Sequence, residues 1–164
     1  MDRLDVAAEQ TAHAAPEAVW ELVSDATRYP EWGPWRAAKY KRPGDTSPRG
    51  PGAVQRLQSS TRYLGRYPVS IERILEVEEG RFLAYTIVGG IPARNYRAKV
   101  TLTPTSDGTH IRWVGSLDAT IRGRLVWRGL RMAYPQIVAA LAAAAERSGS
   151  RAVRDHPLRA DPPR

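Results

Sequence analysis

The chain has 164 residues, a hydrophobic content of 42%, no cysteine and a formal charge of +8. That length suits one domain with a sizeable core, and the missing cysteines exclude disulfides, thiolate catalysis and Cys-built zinc sites. No run approaches the ~18 apolar residues of a membrane span, and Met1-Asp2-Arg3-Leu4-Asp5 is not a basic stretch feeding an apolar one, so a cytoplasmic address is expected.

Leu4 to Ala12 is predicted as a first strand. Pro16 suits the first turn of a helix, where its missing N–H costs nothing. Val19, Trp20, Val23 and Ala26 then form an apolar stripe, with Trp20 expected in the core. Thr27 is placed to cap a second, shorter helix that Gly33-Pro34 stops. Beyond it the period changes to two. Ala38 to Lys41 predicts a short strand, and Arg42 to Gly52, rich in Pro, Gly, Asp and Ser, an exposed loop. Val54 to Ser60 and Tyr67 to Val77 make the next pair, turned near Gly65. Phe82 to Val88, Asn95 to Thr103 and His110 to Ala119 follow, the last two joined by an Asp107-Gly108 hairpin signal. Short turns between consecutive strands imply an antiparallel meander with one buried face. Gly123 to Arg147 predicts a long helix, interrupted or kinked at Pro135 and alanine-rich from Ala139 to Ala145. Residues 148–164 lack periodicity and predict a disordered basic tail after a single 1–147 domain.

The expected class is α+β. A seven-stranded curved antiparallel sheet carries two short helices after strand one and grips a long C-terminal helix across its concave face. Four segments carry a family resemblance: AAPEAVWELVSDATRYPEW, GRFLAYTIVGG, TLTPTSDGTHIRW and the alanine-rich final helix. Together they resemble the polyketide cyclase/dehydrase family of the START-like (SRPBCC, helix-grip) superfamily, over about residues 3 to 147. The resemblance implies a cavity between sheet and helix. It leaves the activity open, because that superfamily includes lipid carriers, receptors and cyclases.

Alternation assigns Tyr96, Ala98, Val100 and Leu102 to the inner face, and Arg97, Lys99, Thr101 and Thr103 to the outer. Ile111, Trp113, Gly115 and Leu117 point in by the same rule, with Arg112 and Asp118 out; Leu83, Tyr85 and Ile87 are the inward set of their strand. Tyr85, Tyr96, Trp113 and Tyr134 thus converge between sheet and long helix. A solid core there would use Leu, Ile and Val, whereas buried tyrosine and tryptophan need polar partners. With Leu117 and Leu130 they are the candidate lining of an enclosed apolar pocket, and Trp35 and Tyr67 are expected near its mouth.

Arg73 shares parity with Val69, Ile71, Leu75 and Val77. The resemblance implies a catalytic role, since the family's aromatase/cyclases hold an inward arginine thought to grip the polyketide. The other reading is a β-bulge that turns Arg73 to solvent and Ile74 inward, which the parity of Ile74 favours. Glu72, Glu76 and Glu78 fall outside by alternation.

No phosphate loop, metal helix or nucleophile elbow occurs, so no cofactor and no metal is expected. His13, His110 and His156 share no ligand spacing. The expected partner is a small hydrophobic molecule such as a lipid, an isoprenoid or a polyketide, bound by a non-catalytic carrier or sensor. The alternative is a polyketide cyclase or dehydratase. A weaker one is a basic membrane-surface module built on Trp127 among Arg124, Arg128 and Arg131, with weak contact to anionic membranes. Specific nucleic-acid binding is not expected, because the positive charge is dispersed arginine without a stacking platform. The residues carry no signal for an oligomeric state.

Overall fold

The computed structural model describes residues 1–154. Elements run β1 (Arg3–Ala12), α1 (Pro16–Val23), a 3-10 turn (Ala26–Arg28), α2 (Tyr29–Trp32), β2 (Trp35–Arg42), β3 (Val54–Ser59), β4 (Val69–Glu78), β5 (Phe82–Gly89), β6 (Arg97–Thr105), β7 (Gly108–Asp118) and α3 (Ile121–Arg154). The seven strands form one antiparallel sheet in the order β1-β7-β6-β5-β4-β3-β2, so only the β1–β7 pairing joins strands distant in sequence.

The turns follow from local chemistry. Leu64 and Gly65 both have positive φ (48° and 76°), which closes the β3–β4 connection as a two-residue hairpin between Tyr63 and Arg66. Thr27 does not cap α2, which has no side-chain cap; it lies in the preceding 3-10 turn, which Asp25 caps, its carboxylate accepting from the Thr27 N–H at 3.0 Å. α3 starts two residues before Gly123 because Thr120 caps it, its hydroxyl accepting from the Gly123 N–H at 2.9 Å.

α3 runs unbroken through Pro135, which lies on its exposed side, where water can serve the carbonyl that proline leaves free. It also continues past the expected end. Residues 148–154, taken for tail, are helical, with Arg151 and Arg154 in the last turn where positive charge complements the macrodipole. The rest of the expected tail, 155–164, lies outside the described residues.

The core lies between the concave face and the helices. Val19, Leu22 and Val23 of α1 are buried, and α3 packs on β1, β7 and α1, contributing Ile137, Val138, Leu141 and Ala145. Val100, Leu102, Ile111 and Leu117 meet them from β6 and β7. The convex face carries Arg97 and Lys99, the first paired with Glu76 and the second stacked over Phe82.

Candidate functional site

Three aromatic residues enter the interior from the sheet side and a fourth from the helix. Tyr85 and Trp113 occupy inward positions on β5 and β7, Tyr96 lies immediately before β6, and Tyr134 comes from α3; all four are buried. The Trp113 Nε1–H donates to the Tyr85 hydroxyl at 3.1 Å. The Tyr85 and Tyr96 hydroxyls lie 3.5 Å apart, and the Tyr96 hydroxyl bonds that of Tyr134. Gly115 is required beneath them, since a Cβ there would collide with the Tyr134 hydroxyl.

Counting hydrogens exposes an asymmetry. Three hydroxyls and one indole supply four donor hydrogens for three links, so one hydroxyl hydrogen is left without an acceptor among the described residues. Burial pushes the Tyr96 hydroxyl up to about 12 and those of Tyr85 and Tyr134 well above their ordinary value. All three stay protonated near neutrality. The cluster therefore offers one donor to a carbonyl, a hydroxyl or water.

A carboxyl stands on the neighbouring strands. β4 carries a register irregularity between Ile74 and Glu76, and Ser70, Glu72 and Ile74 are its buried positions. Arg73 accordingly faces solvent, so the candidate catalytic arginine does not enter the interior, and the bulge reading describes this strand. The expectation that Glu72 lies outside is corrected by the same geometry, because a bulge shifts the parity that strict alternation assumes. Gln55 is the direct cross-strand partner of Glu72 in the β3–β4 ladder. The Gln55 amide donates to one Glu72 carboxyl oxygen and the Ser70 hydroxyl to the other, each at 3.0 Å.

Burial raises the Glu72 carboxyl to about 7; the bonds from Gln55 and Ser70 oppose that shift without cancelling it. A carboxyl balanced there can accept or give up a proton near neutrality. Its charge is felt at the hydroxyls of Tyr29, Tyr85, Tyr96 and Tyr134, which makes acid and hydroxyls one electrostatic unit.

Open space approaches this unit from one side. A cleft of about 640 Å³ between α1, the β2–β3 loop and the β4–β5 end is lined by Trp20, Val23, Tyr29, Ile74 and Leu83 with Gln55. The loop that roofs it is pinned by the Arg49–Asp25 ion pair at 3.2 Å. Trp20, expected in the core, is only half buried and borders this cleft.

The remaining predicted residues separate. Leu117 is fully buried on β7, and Leu130 packs partly buried against the core from α3. Trp35 stacks with Tyr29 and Trp32 at centroid distances of 4.8 and 5.4 Å, fastening α2 to β2. Tyr67 sits under the guanidinium groups of Arg36 and Arg62 (4.0 and 5.0 Å), away from the interior. The expected enclosed pocket differs too. The four rings lie against one another, with centroids 6.0 to 6.4 Å apart, and the open volume lies beside them, past Gln55. Sequence reasoning missed Glu72, Gln55 and Ser70. The available signal was Gln55, a polar residue at the parity of Ala53 and Leu57 on a strand whose other side carries Val54 and Arg56. Among the described residues, no His, Asp and Glu side chains gather in a group able to hold a metal ion. No described helix is long and apolar enough to cross a membrane.

Residues 3–146 match the family described as polyketide cyclase / dehydrase and lipid transport. No curated protein matches the chain by sequence. Among solved structures, the Zhui aromatase/cyclase from Streptomyces sp. R1128 is similar with a TM-score of 0.69 and 15% identity, covering 93% of this chain and 97% of that one. A Mesorhizobium loti protein has a TM-score of 0.67 at 23% identity, over 88% of this chain and 98% of its own. A Thermobifida fusca protein solved by NMR has a TM-score of 0.63 at 26% identity, over 92% and 95%.

Proposed function

The chain belongs to the polyketide cyclase/dehydrase and lipid transport family, a START-like helix-grip fold, and from that premise we propose that it binds a small, largely hydrophobic molecule in its interior. The ligand enters by the cleft beneath the β2–β3 loop and sets a polar group against Gln55, Glu72 and the tyrosine hydroxyls. One observation carries this reading. Glu72, buried, sits with hydroxyl-bearing rings where packing alone would call for aliphatic side chains. A buried carboxyl costs stability, and a ligand that hydrogen-bonds it recovers part of that loss.

A second reading has its own support. A carboxyl with a pKa of about 7 near neutral tyrosine donors is the equipment for proton abstraction next to a carbonyl, with a hydroxyl holding the developing oxyanion. In that case the chain is a cyclase or dehydratase, and Glu72 rather than Arg73 is its base.

Native mass spectrometry of protein purified from its own host should reveal a bound small molecule. Fatty acids, isoprenoids and aromatic polyketides should include a compound that raises Tm by binding only the folded state. No bound mass and no stabilising compound would remove the binding reading. Turnover of a poly-keto mimic that vanishes in Glu72→Gln, with binding retained, separates enzyme from carrier.

A further inference from the structure

The antiparallel order places the β3–β4 turn, the β5–β6 turn and the start of α3 at one end of the sheet. Aliphatic side chains face water there. Leu64, at the tip of the β3–β4 turn, is 87% exposed, and Ile121, the first residue of α3, is 86% exposed. Leu125, one turn further along α3, and Val88, near the end of β5, are exposed as well. Between the β5–β6 turn and α3 runs an open groove of about 560 Å³ with Ile87, Ile91 and Ala93 in its walls.

The charge at this end is mostly positive: Asp2, Asp5 and Asp118 lie there, at the start of β1 and the end of β7, but arginines outnumber them. Segments 59–71, 89–96 and 119–145 contain no aspartate or glutamate, but they carry Arg62, Arg66, Arg94, Arg122 and Arg124. Among the described residues, Arg62, Arg66, Arg122 and Arg124 form no ion pair, and Arg94 shares Asp118 with Arg3. Arg122 and Arg124 lie in the first turn of α3, at the positive end of the macrodipole, an arrangement that costs stability unless an anion relieves it. A nucleic acid would use the charge but gain nothing from Leu64 and Ile121. A bilayer interface uses both.

We propose that this end of the molecule docks on the surface of an anionic phospholipid bilayer. Leu64, Ile121 and Leu125 enter the headgroup layer, and the surrounding arginines pair with lipid phosphates. The docking face is separate from the interior cluster and needs no bound ligand.

The test is co-sedimentation of the full chain with phosphatidylcholine vesicles, with and without phosphatidylglycerol. Binding is expected only with phosphatidylglycerol and should weaken as salt rises. Because a charge of +8 attracts any anionic surface, the deciding variant keeps that charge: Leu64→Asn combined with Ile121→Ser. Asparagine suits the positive φ of 48° at Leu64, and Ile121 is exposed, so the fold should persist by circular dichroism and Tm. This variant should bind the mixed vesicles roughly tenfold more weakly or worse. Arg112→Gln, on the convex face, should leave binding unchanged. Equal binding by the Leu64/Ile121 variant and the parent would overturn the proposal. So would no binding to the mixed vesicles, or tighter binding to duplex DNA at the same salt.

Discussion

The two halves of the concave face are built to different ends. On β6 and β7, Val100, Leu102, Ile111 and Leu117 are buried beneath α1 and α3 in the hydrophobic core, next to the aromatic cluster. On β3 and β4 the corresponding inward positions hold Gln55, Ser70 and Glu72, on strands away from the α3 contacts with β1 and β7. One half supplies stability; the other keeps a buried acid that packing alone would not choose. A fold can hold such an acid because the first half compensates for it.

The largest effect should come from the apolar half. Ile111 is completely buried, so Ile111→Ala should cost about 2–5 kcal/mol by denaturant unfolding. A loss no larger than that of a surface substitution would show that the two halves do not differ in this way.

Changing the polar half should have the opposite sign. The Glu72 carboxyl rises from 4.5 to about 7 on folding, which corresponds to about 3 kcal/mol. With the folded pKa above the unfolded one, the native state holds the extra proton between those values. Stability from this group is therefore complete below pH 4.5 and lost as pH climbs to about 7. Glu72→Gln should flatten that dependence, leaving the variant more stable than the parent at pH 8 by up to about 3 kcal/mol and little changed at pH 4. A variant less stable than its parent at pH 8 would contradict the burial of a costly charge.

β6 and β7 also show why part of the molecule was legible in advance. Their strict alternation gave the inward residues from Tyr96 to Leu102 and from Ile111 to Leu117, and the Asp107-Gly108 turn set their pairing. β4 hid its site because Val69, Ile71, Leu75 and Val77 mimic an inner face, while the irregularity after Ile74 reverses the count. Asp118 was misplaced for another reason. At the end of β7 it is drawn in by Arg3 (2.8 Å) and Asn95 (2.8 Å), contacts that reach across the chain and leave no periodic trace. Thr120 was missed as a cap because the glycine after it looked like the natural start of α3. The aromatic cluster was readable from strand parity; its hydrogen-bond chain and its closed packing depend on the position of α3.

A smaller effect should come from breaking that chain. Tyr96→Phe removes the hydroxyl that contacts those of both Tyr85 and Tyr134 and should cost about 1–2 kcal/mol. If the free hydroxyl hydrogen serves a ligand, the same change should also weaken the stabilising compound found in the thermal screen. The smallest effect belongs to Arg73→Ala, which should stay within about 0.5 kcal/mol and leave ligand binding and any turnover intact, because the side chain faces solvent. Loss of activity there would return the arginine to the site and weaken the claim of Glu72.

The carboxyl of Glu72 can be followed directly by carbon-13 NMR titration, assigned by its disappearance in Glu72→Gln. A midpoint near 7 is predicted, as befits an enclosed acid held by Gln55 and Ser70. A midpoint at the ordinary 4.5 would mean that water reaches the group, and the contrast between the two halves of the sheet would fail.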